Sequence, residues 1–161
     1  MIKIILASKS KVRKEILDYN KIPNQTEPSN IDEDVIKISM LKEKASPESI
    51  SKNLAELKAN KISRKINDVL VLGADSVIDL NGELISKPKS RDEAMEILYK
   101  LNGKKHYLVS SVCFSKNGSM IWNYTDKAKL KMKNFSEKEL EQYLSKISDK
   151  ALYAYNVYQI E

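Results

Sequence analysis

Hydrophobic and polar positions switch between strand and helix periods along this chain. Ile2 to Ala7 is rich in apolar residues and reads as a first strand; Val12, Ile16 and Leu17 then fall at helical spacing, predicting a helix from Lys11 to about Asn20 with Ser10 as its N-cap. Ile22 to Asn30 is polar, contains proline and reads as a connection. Ser46 and Pro47 supply cap and first-turn chemistry for a longer helix in which Ile50, Leu54, Leu57 and Ile62 recur at helical spacing, while Lys58 and Lys61 are assigned to its solvated face. Val69 to Leu72 is wholly apolar, which predicts a strand buried on both faces that ends at Gly73, with Asp75 where it emerges. Val77 to Leu80 resumes the β pattern, Asn81-Gly82 suits a type I′ turn, and Glu83 to Ser86 return as a second strand.

Downstream, Ser90 and Glu93 form a capping-box pattern for a helix with Ala94, Ile97, Leu98 and Leu101 inward, ending at Asn102-Gly103. His106 to Ser115 reads as a strand, with a turn at Asn117-Gly118 and a return through Trp122. Lys127, Lys129, Lys131 and Lys133 alternate with Ala128, Leu130 and Met132, a strand with one basic and one apolar face. Ser136 and Glu139 cap a last helix with Leu140, Tyr143, Leu144 and Ile147 inward. The closing ALYAYNVYQIE is apolar and aromatic without a polar tail, so the 1–161 domain is expected to lack a C-terminal segment.

Length and composition narrow the class. No Pro/Gly/Ser-rich stretch divides the 161 residues, so one domain is expected. Cys113 is the only cysteine and lies in an apolar pattern, which excludes an internal disulfide and fits a reducing cytoplasm. Neither a signal peptide nor an apolar run of ~18 residues is present, so no membrane partner is expected. The net charge is +6, but the cations are almost all lysines scattered among acids, with only Arg13, Arg64 and Arg91, which disfavours nucleic acid as the partner.

Candidate chemistry gathers in two places. The helix after the first strand opens with Lys11, Arg13 and Lys14 at the positive end of its dipole, an arrangement suited to a bound anion, with Ser8 and Ser10 beside it. The hairpin carries Asp75, Ser76 and Lys87. An ideal two-residue turn pairs Leu80 with Glu83 and hence Ser76 with Lys87, leaving Asp75 on the other face; a bulge or a three-residue loop would bring Asp75 and Lys87 together. The cluster Asp32, Glu33 and Asp34 taken alone is a solvated one, and His106, the only histidine, is not read as a metal ligand.

In order along nearly the whole chain, LASKSKVRKEIL, the Asp32-Glu33 pair, LAELKA at Leu54 to Ala59, GADSVIDLNGELISKP, LNGKKH and Gln159 resemble the motifs of the Maf family of nucleoside triphosphate pyrophosphatases. The resemblance implies a single α/β domain with a mixed sheet around a nucleotide-binding cleft, like that of inosine triphosphate pyrophosphatases, and a homodimer. It implies hydrolysis of a nucleoside triphosphate to the monophosphate and pyrophosphate, in the service of clearing non-canonical or modified nucleotides, with a divalent cation, Mg²⁺ or Mn²⁺. Asp75 would accept the proton of the attacking water and Glu33 would hold metal or water, the two forming the metal's ligand set. Ser8, Ser10, Arg13 and Lys87 would hold phosphates, Lys87 counting with Asp75 and Glu33 among the catalytic residues, with Lys58 a weaker phosphate candidate. Gln159 would read a base edge or contact the phosphates, and Val12 and Ser76 stand at positions the family associates with substrate choice, where this chain departs from its usual residues. The alternative is a nucleotide- or nucleic-acid-binding regulator of cell division without turnover.

Overall fold

The computed structural model describes residues 3–158, Tyr155 by its backbone alone. Its elements are β1 (Ile4–Leu6), α1 (Lys11–Tyr19), β2 (Asn24–Thr26), α2 (Glu33–Lys42), α3 (Pro47–Ser63), β3 (Val71–Leu80), β4 (Glu83–Ile85), α4 (Arg91–Leu101), β5 (Lys105–Lys116), β6 (Ser119–Lys131), α5 (Glu137–Lys146) and α6 (Asp149–Tyr155). The fold is mixed α/β. Its strands follow the order β2-β1-β3-β5-β6, with β4 on β3; β1 is parallel to β2 and β3, and β4 is antiparallel to β3. Contacts divide the chain into two compact units, one running up to Ser76 and including Val109–Lys127, the other comprising Val77–Leu108 and the residues from Ala128 on.

In the first unit the chain leaves β1 through α1 to reach β2 on one side, then returns through α2 and α3 to β3 on the other. Right-handed crossovers in opposite directions put α1 and α3 on opposite faces of the sheet. The core divides accordingly: Ile4, Leu6 and Leu17 form one cluster, and Ile5, Ala7, Ala55, Ala59, Ile62, Val71 and Cys113 the other. The gap between β1 and β3 is therefore a topological switch point, where open α/β sheets bind ligands beyond the carboxyl ends of their strands. α1 and α3 start where their caps dictate, on Ser10 and Ser46.

The expected strand ending at Gly73 is replaced by one continuous strand through Leu80. Gly73 is there for proximity: a Cβ would fall 2.0 Å from the Ala55 carbonyl oxygen and 2.9 Å from the Ala59 Cβ, so β3 rides directly on α3. Two further elements, β2 and α2, lie where the sequence suggested only a connection and a solvated acidic cluster. Asp32 is the N-cap of α2, its carboxylate accepting the Val35 N–H at 3.1 Å.

In the second unit Asn81 and Gly82 both have positive φ, as a type I′ turn requires, and the register pairs Leu80 with Glu83 and Ile78 with Ile85. The core packs Ile78, Leu80 and Ile85 with Ala94, Leu98 and Leu101 of α4, Leu140 and Leu144 of α5, and Leu152 and Val157 at the closing aromatic run. Arg91 serves the end of α5, donating to the carbonyls of Leu144 and Ile147 at 2.8 and 2.7 Å. Ser136 and Glu139 complete the expected capping box; at α4 the Glu93 carboxylate instead accepts the Lys89 N–H, one residue before the cap. The return strand through Trp122 and the alternating lysine strand are one element, β6. His106 is buried, its Nε2 paired with the Tyr158 hydroxyl at 2.8 Å. Among the described residues no helix is long and apolar enough to cross a membrane.

The two glycines should respond differently to substitution. Gly73→Ala has to push β3 off α3, an overpacking cost of about 3 kcal/mol. Gly82→Ala meets open space at φ +88° and should lose only about 1–2 kcal/mol for its left-handed backbone. Urea denaturation of both variants checks the order; equal losses would remove the close approach as a constraint.

Candidate active site at the switch point

β1 pairs with β3 only as far as Leu6 and Leu72, and the Ala7 N–H still reaches the Leu72 carbonyl at 2.8 Å. Past this point the chain departs into α1, and Arg13 takes up the next free carbonyl of β3: its Nη1 donates to the Ala74 oxygen at 2.9 Å and to Ser8 Oγ at 3.2 Å. Ser8 is buried and its hydroxyl also accepts the Ser10 N–H at 3.1 Å, while Ser10 Oγ accepts the Arg13 N–H. Ser8, Ser10 and Arg13 thus come together at the positive end of α1, a helix with no acid in its first turn. Val12, beside Arg13, is half-buried.

From the other face α3 supplies Ser51 and Lys58. The Ser51 hydroxyl donates to the Asp75 carbonyl at 3.2 Å. Lys58 Nζ lies 2.7 Å from Asp75 Oδ1 and 2.8 Å from Glu33 Oε1, with the Ala74 carbonyl at 3.5 Å. The solvated position expected for Lys58 is therefore wrong: its side chain is 7% exposed, whereas Leu57, expected inward, is 37% exposed. The reason is visible in the spacing, since Ile50, Leu54, Lys58 and Ile62 follow one another at i+4 and Lys58 continues the apolar row. Glu33 is likewise drawn out of its acidic cluster, and Lys37 stands 3.8 Å from its second oxygen.

Asp75 lies inside β3 and is 4% exposed. Burial pushes its carboxyl above the ordinary carboxylate range, and Glu33 adds to that, while Lys58 and Arg13 oppose it. Its Oδ2 is buried without a hydrogen-bond partner. Burial also pushes the Arg13 guanidinium down, against the charges of Asp75 and Glu33. A carboxylate with one oxygen held by an ammonium and the other free, facing a guanidinium and a helix N-terminus, can take a proton from water while a polyanion is held beside it.

Sequence reasoning missed Ser51 and also Ser110, whose hydroxyl pairs with Ser76 Oγ at 3.0 Å. Nothing marks Ser110 before β3 and β5 are known to be neighbours; Ser51 could have been found seven residues before Lys58 on the same helix face. Lys87 follows β4 in the second unit, and the β3–β4 pairs stop at Ile78–Ile85, before Ser76. Gln159 lies outside the described residues. Among those residues no group of three or more His, Cys, Asp or Glu is placed to hold a metal ion. Asp75 and Glu33 are two carboxylates, the number with which Mg²⁺ is commonly held when phosphate oxygens complete its shell.

A mixed α/β sheet with cations, a helix N-terminus and a buried acid at its switch point is an arrangement suited to a phosphate-bearing ligand. The chain belongs to the Maf family: the family model described as Maf-like protein matches residues 3–160. It is 69% identical over 158 residues to a nucleoside triphosphate pyrophosphatase of Pelagibacter ubique, covering 98% of this chain and 81% of that one. A nucleoside triphosphate pyrophosphatase of Caulobacter vibrioides is 37% identical over 158 residues, with 98% and 79% covered. The solved structure of the Staphylococcus aureus Ham1 protein shares the fold, with a TM-score of 0.50 at 17% identity over 80% of this chain and 69% of that one.

Removing the ammonium should extend the pH dependence that Asp75 already gives to stability. In Lys58→Met the buried Asp75 loses its counter-charge, and breaking such a pair costs about 3–5 kcal/mol when the remaining group stays charged. Asp75 has a folded pKa above its unfolded one, so the folded state binds the extra proton between the two and stability falls as pH rises through that window. The deficit of Lys58→Met against wild type should grow only above the already raised wild-type pKa of Asp75, by at most about 1.4 kcal/mol per pH unit, and level off above the still higher pKa of the variant. Urea denaturation across pH checks this; a deficit independent of pH would separate Asp75 from Lys58.

Proposed function

We propose that this chain is a nucleoside triphosphate pyrophosphatase whose reaction centre is the Asp75 carboxylate. The observation that carries the reading is the buried, unpartnered Oδ2 of Asp75 beside Lys58 and Arg13 at the positive end of α1. Membership of the Maf family and the shared name of the relatives support it.

The triphosphate lies at the α1 N-terminus, held by charge-assisted hydrogen bonds from Arg13 and by the hydroxyls of Ser8 and Ser10. Lys87 adds a further cation to the same reading. Asp75 Oδ2 accepts a proton from the attacking water, and its raised pKa brings its basicity closer to neutral pH. Hydrolysis between the α- and β-phosphates gives the monophosphate and pyrophosphate. Asp75 and Glu33 would hold Mg²⁺ or Mn²⁺, which supplies charge neutralisation to the phosphates when bound. Ser76, Ser110 and Val12 are the reading's candidates for substrate choice, with Gln159. The small-molecule substrate and the single buried thiol of Cys113 suit a cytoplasmic setting.

Pyrophosphate release from a nucleotide panel with Mg²⁺ or Mn²⁺ tests the activity. Asp75→Asn should lower turnover by about 10²- to 10⁴-fold while triphosphate binding persists. Arg13→Ala should instead weaken binding of the triphosphate more than that of its nucleoside, and more so at low salt. Nucleotide binding without any pyrophosphate release by the wild type would favour the non-catalytic regulator, and undiminished release by Asp75→Asn would remove the proposed base.

A further inference from the structure

We propose that Lys58 is an internal counter-ion that a divalent cation must displace from Asp75 and Glu33, so that metal and phosphate binding are coupled through one ammonium. The proposal rests on the reading of those two carboxylates as metal ligands. Lys58 Nζ is bonded to both of them, at 2.7 and 2.8 Å, and so occupies the position between them that a shared cation requires. Arg13 is placed differently. Its Nη1 donates to Ser8 Oγ and the Ala74 carbonyl rather than to either carboxylate, so Lys58 is the cation bonded between Asp75 and Glu33.

A cation arriving there meets the ammonium at close range in a buried setting, where like charges are weakly screened. One of the two ion pairs has to break. Lys58 cannot retreat to water without cost, since its stem lies in the apolar row of Ile50, Leu54 and Ile62 on the buried face of α3. The released ammonium therefore needs a new anion within reach, and a phosphate oxygen of the substrate supplies it. Metal alone should accordingly bind weakly, and phosphate should strengthen it, each ligand raising the affinity of the other by the same factor. The Lys58–Glu33 bridge also ties the start of α2 to α3, so displacement loosens that tie until substrate replaces it.

The test is titration of the wild type, Lys58→Met and Lys58→Arg with Mn²⁺ alone, followed by calorimetry or by the spin resonance of free Mn²⁺. Lys58→Met should bind Mn²⁺ about tenfold more tightly than wild type, whereas Lys58→Arg, which keeps the charge, should stay close to it. Unchanged or weaker binding by Lys58→Met overturns the proposal, as does equal tightening in both variants. If Lys58→Met is only marginally folded without metal, thermal melting is the readout: Mn²⁺ should raise its Tm more than that of the wild type, and a smaller rise overturns the proposal. Metal-dependent pyrophosphate release by the wild type without tightening in Lys58→Met overturns the displacement alone; no Mn²⁺ binding by any of the three overturns the metal assignment as well.

Discussion

Close contact between β3 and α3 at Gly73 is the constraint from which the site follows. With no side chain between them, the strand backbone lies against Ala55 and Ala59, and the residues one turn to either side of Ala55 on α3 are carried to the strand with it. Ser51 then reaches the Asp75 carbonyl and Lys58 reaches the Asp75 carboxylate. A larger residue at 73 would widen the gap and leave a buried acid without its cation, so a packing contact sets the electrostatics.

The electrostatics themselves are not arranged for stability. A buried carboxylate and ammonium recover their desolvation only with good geometry and further hydrogen bonds, and apolar residues of similar volume often do as well. Here the pairing is incomplete by one oxygen, and the carboxyl remains shifted upward despite Lys58 and Arg13. That combination suits a group that has to take up a proton. It stands where the sheet topology opens a crevice and where α1 presents its positive end, so backbone and side-chain charges face the same space.

Much of this was legible in the sequence because it depends on local chemistry. The caps Ser10, Ser46 and Ser136 and the Asn81-Gly82 turn each act within a few residues, and each appears where its pattern placed it. What was hidden depends on neighbours remote in sequence. β2 is a polar triplet, Asn24–Thr26, that becomes a strand by pairing with β1, and α2 has no buried residue, so no apolar face announced it. Lys58 was assigned by its charge although its position in the row of Ile50, Leu54 and Ile62 pointed inward; an ammonium is buried there because two carboxylates from other elements meet it. The pairing of Ser76 with Ser110 required knowing that β3 and β5 are adjacent.

The central claim is that Asp75, Arg13 and the start of α1 form one triphosphate site. It is tested most directly by a crystal structure with Mn²⁺ and a nucleoside triphosphate whose α–β bridge is a methylene, which blocks cleavage at that bond. The account predicts an anomalous Mn²⁺ peak on Asp75 and Glu33, phosphate oxygens on Arg13 and Ser8, and Lys58 Nζ moved from a carboxylate to a phosphate. A triphosphate bound elsewhere, with the Lys58–Asp75–Glu33 bridge intact and no metal on either carboxylate, would contradict it.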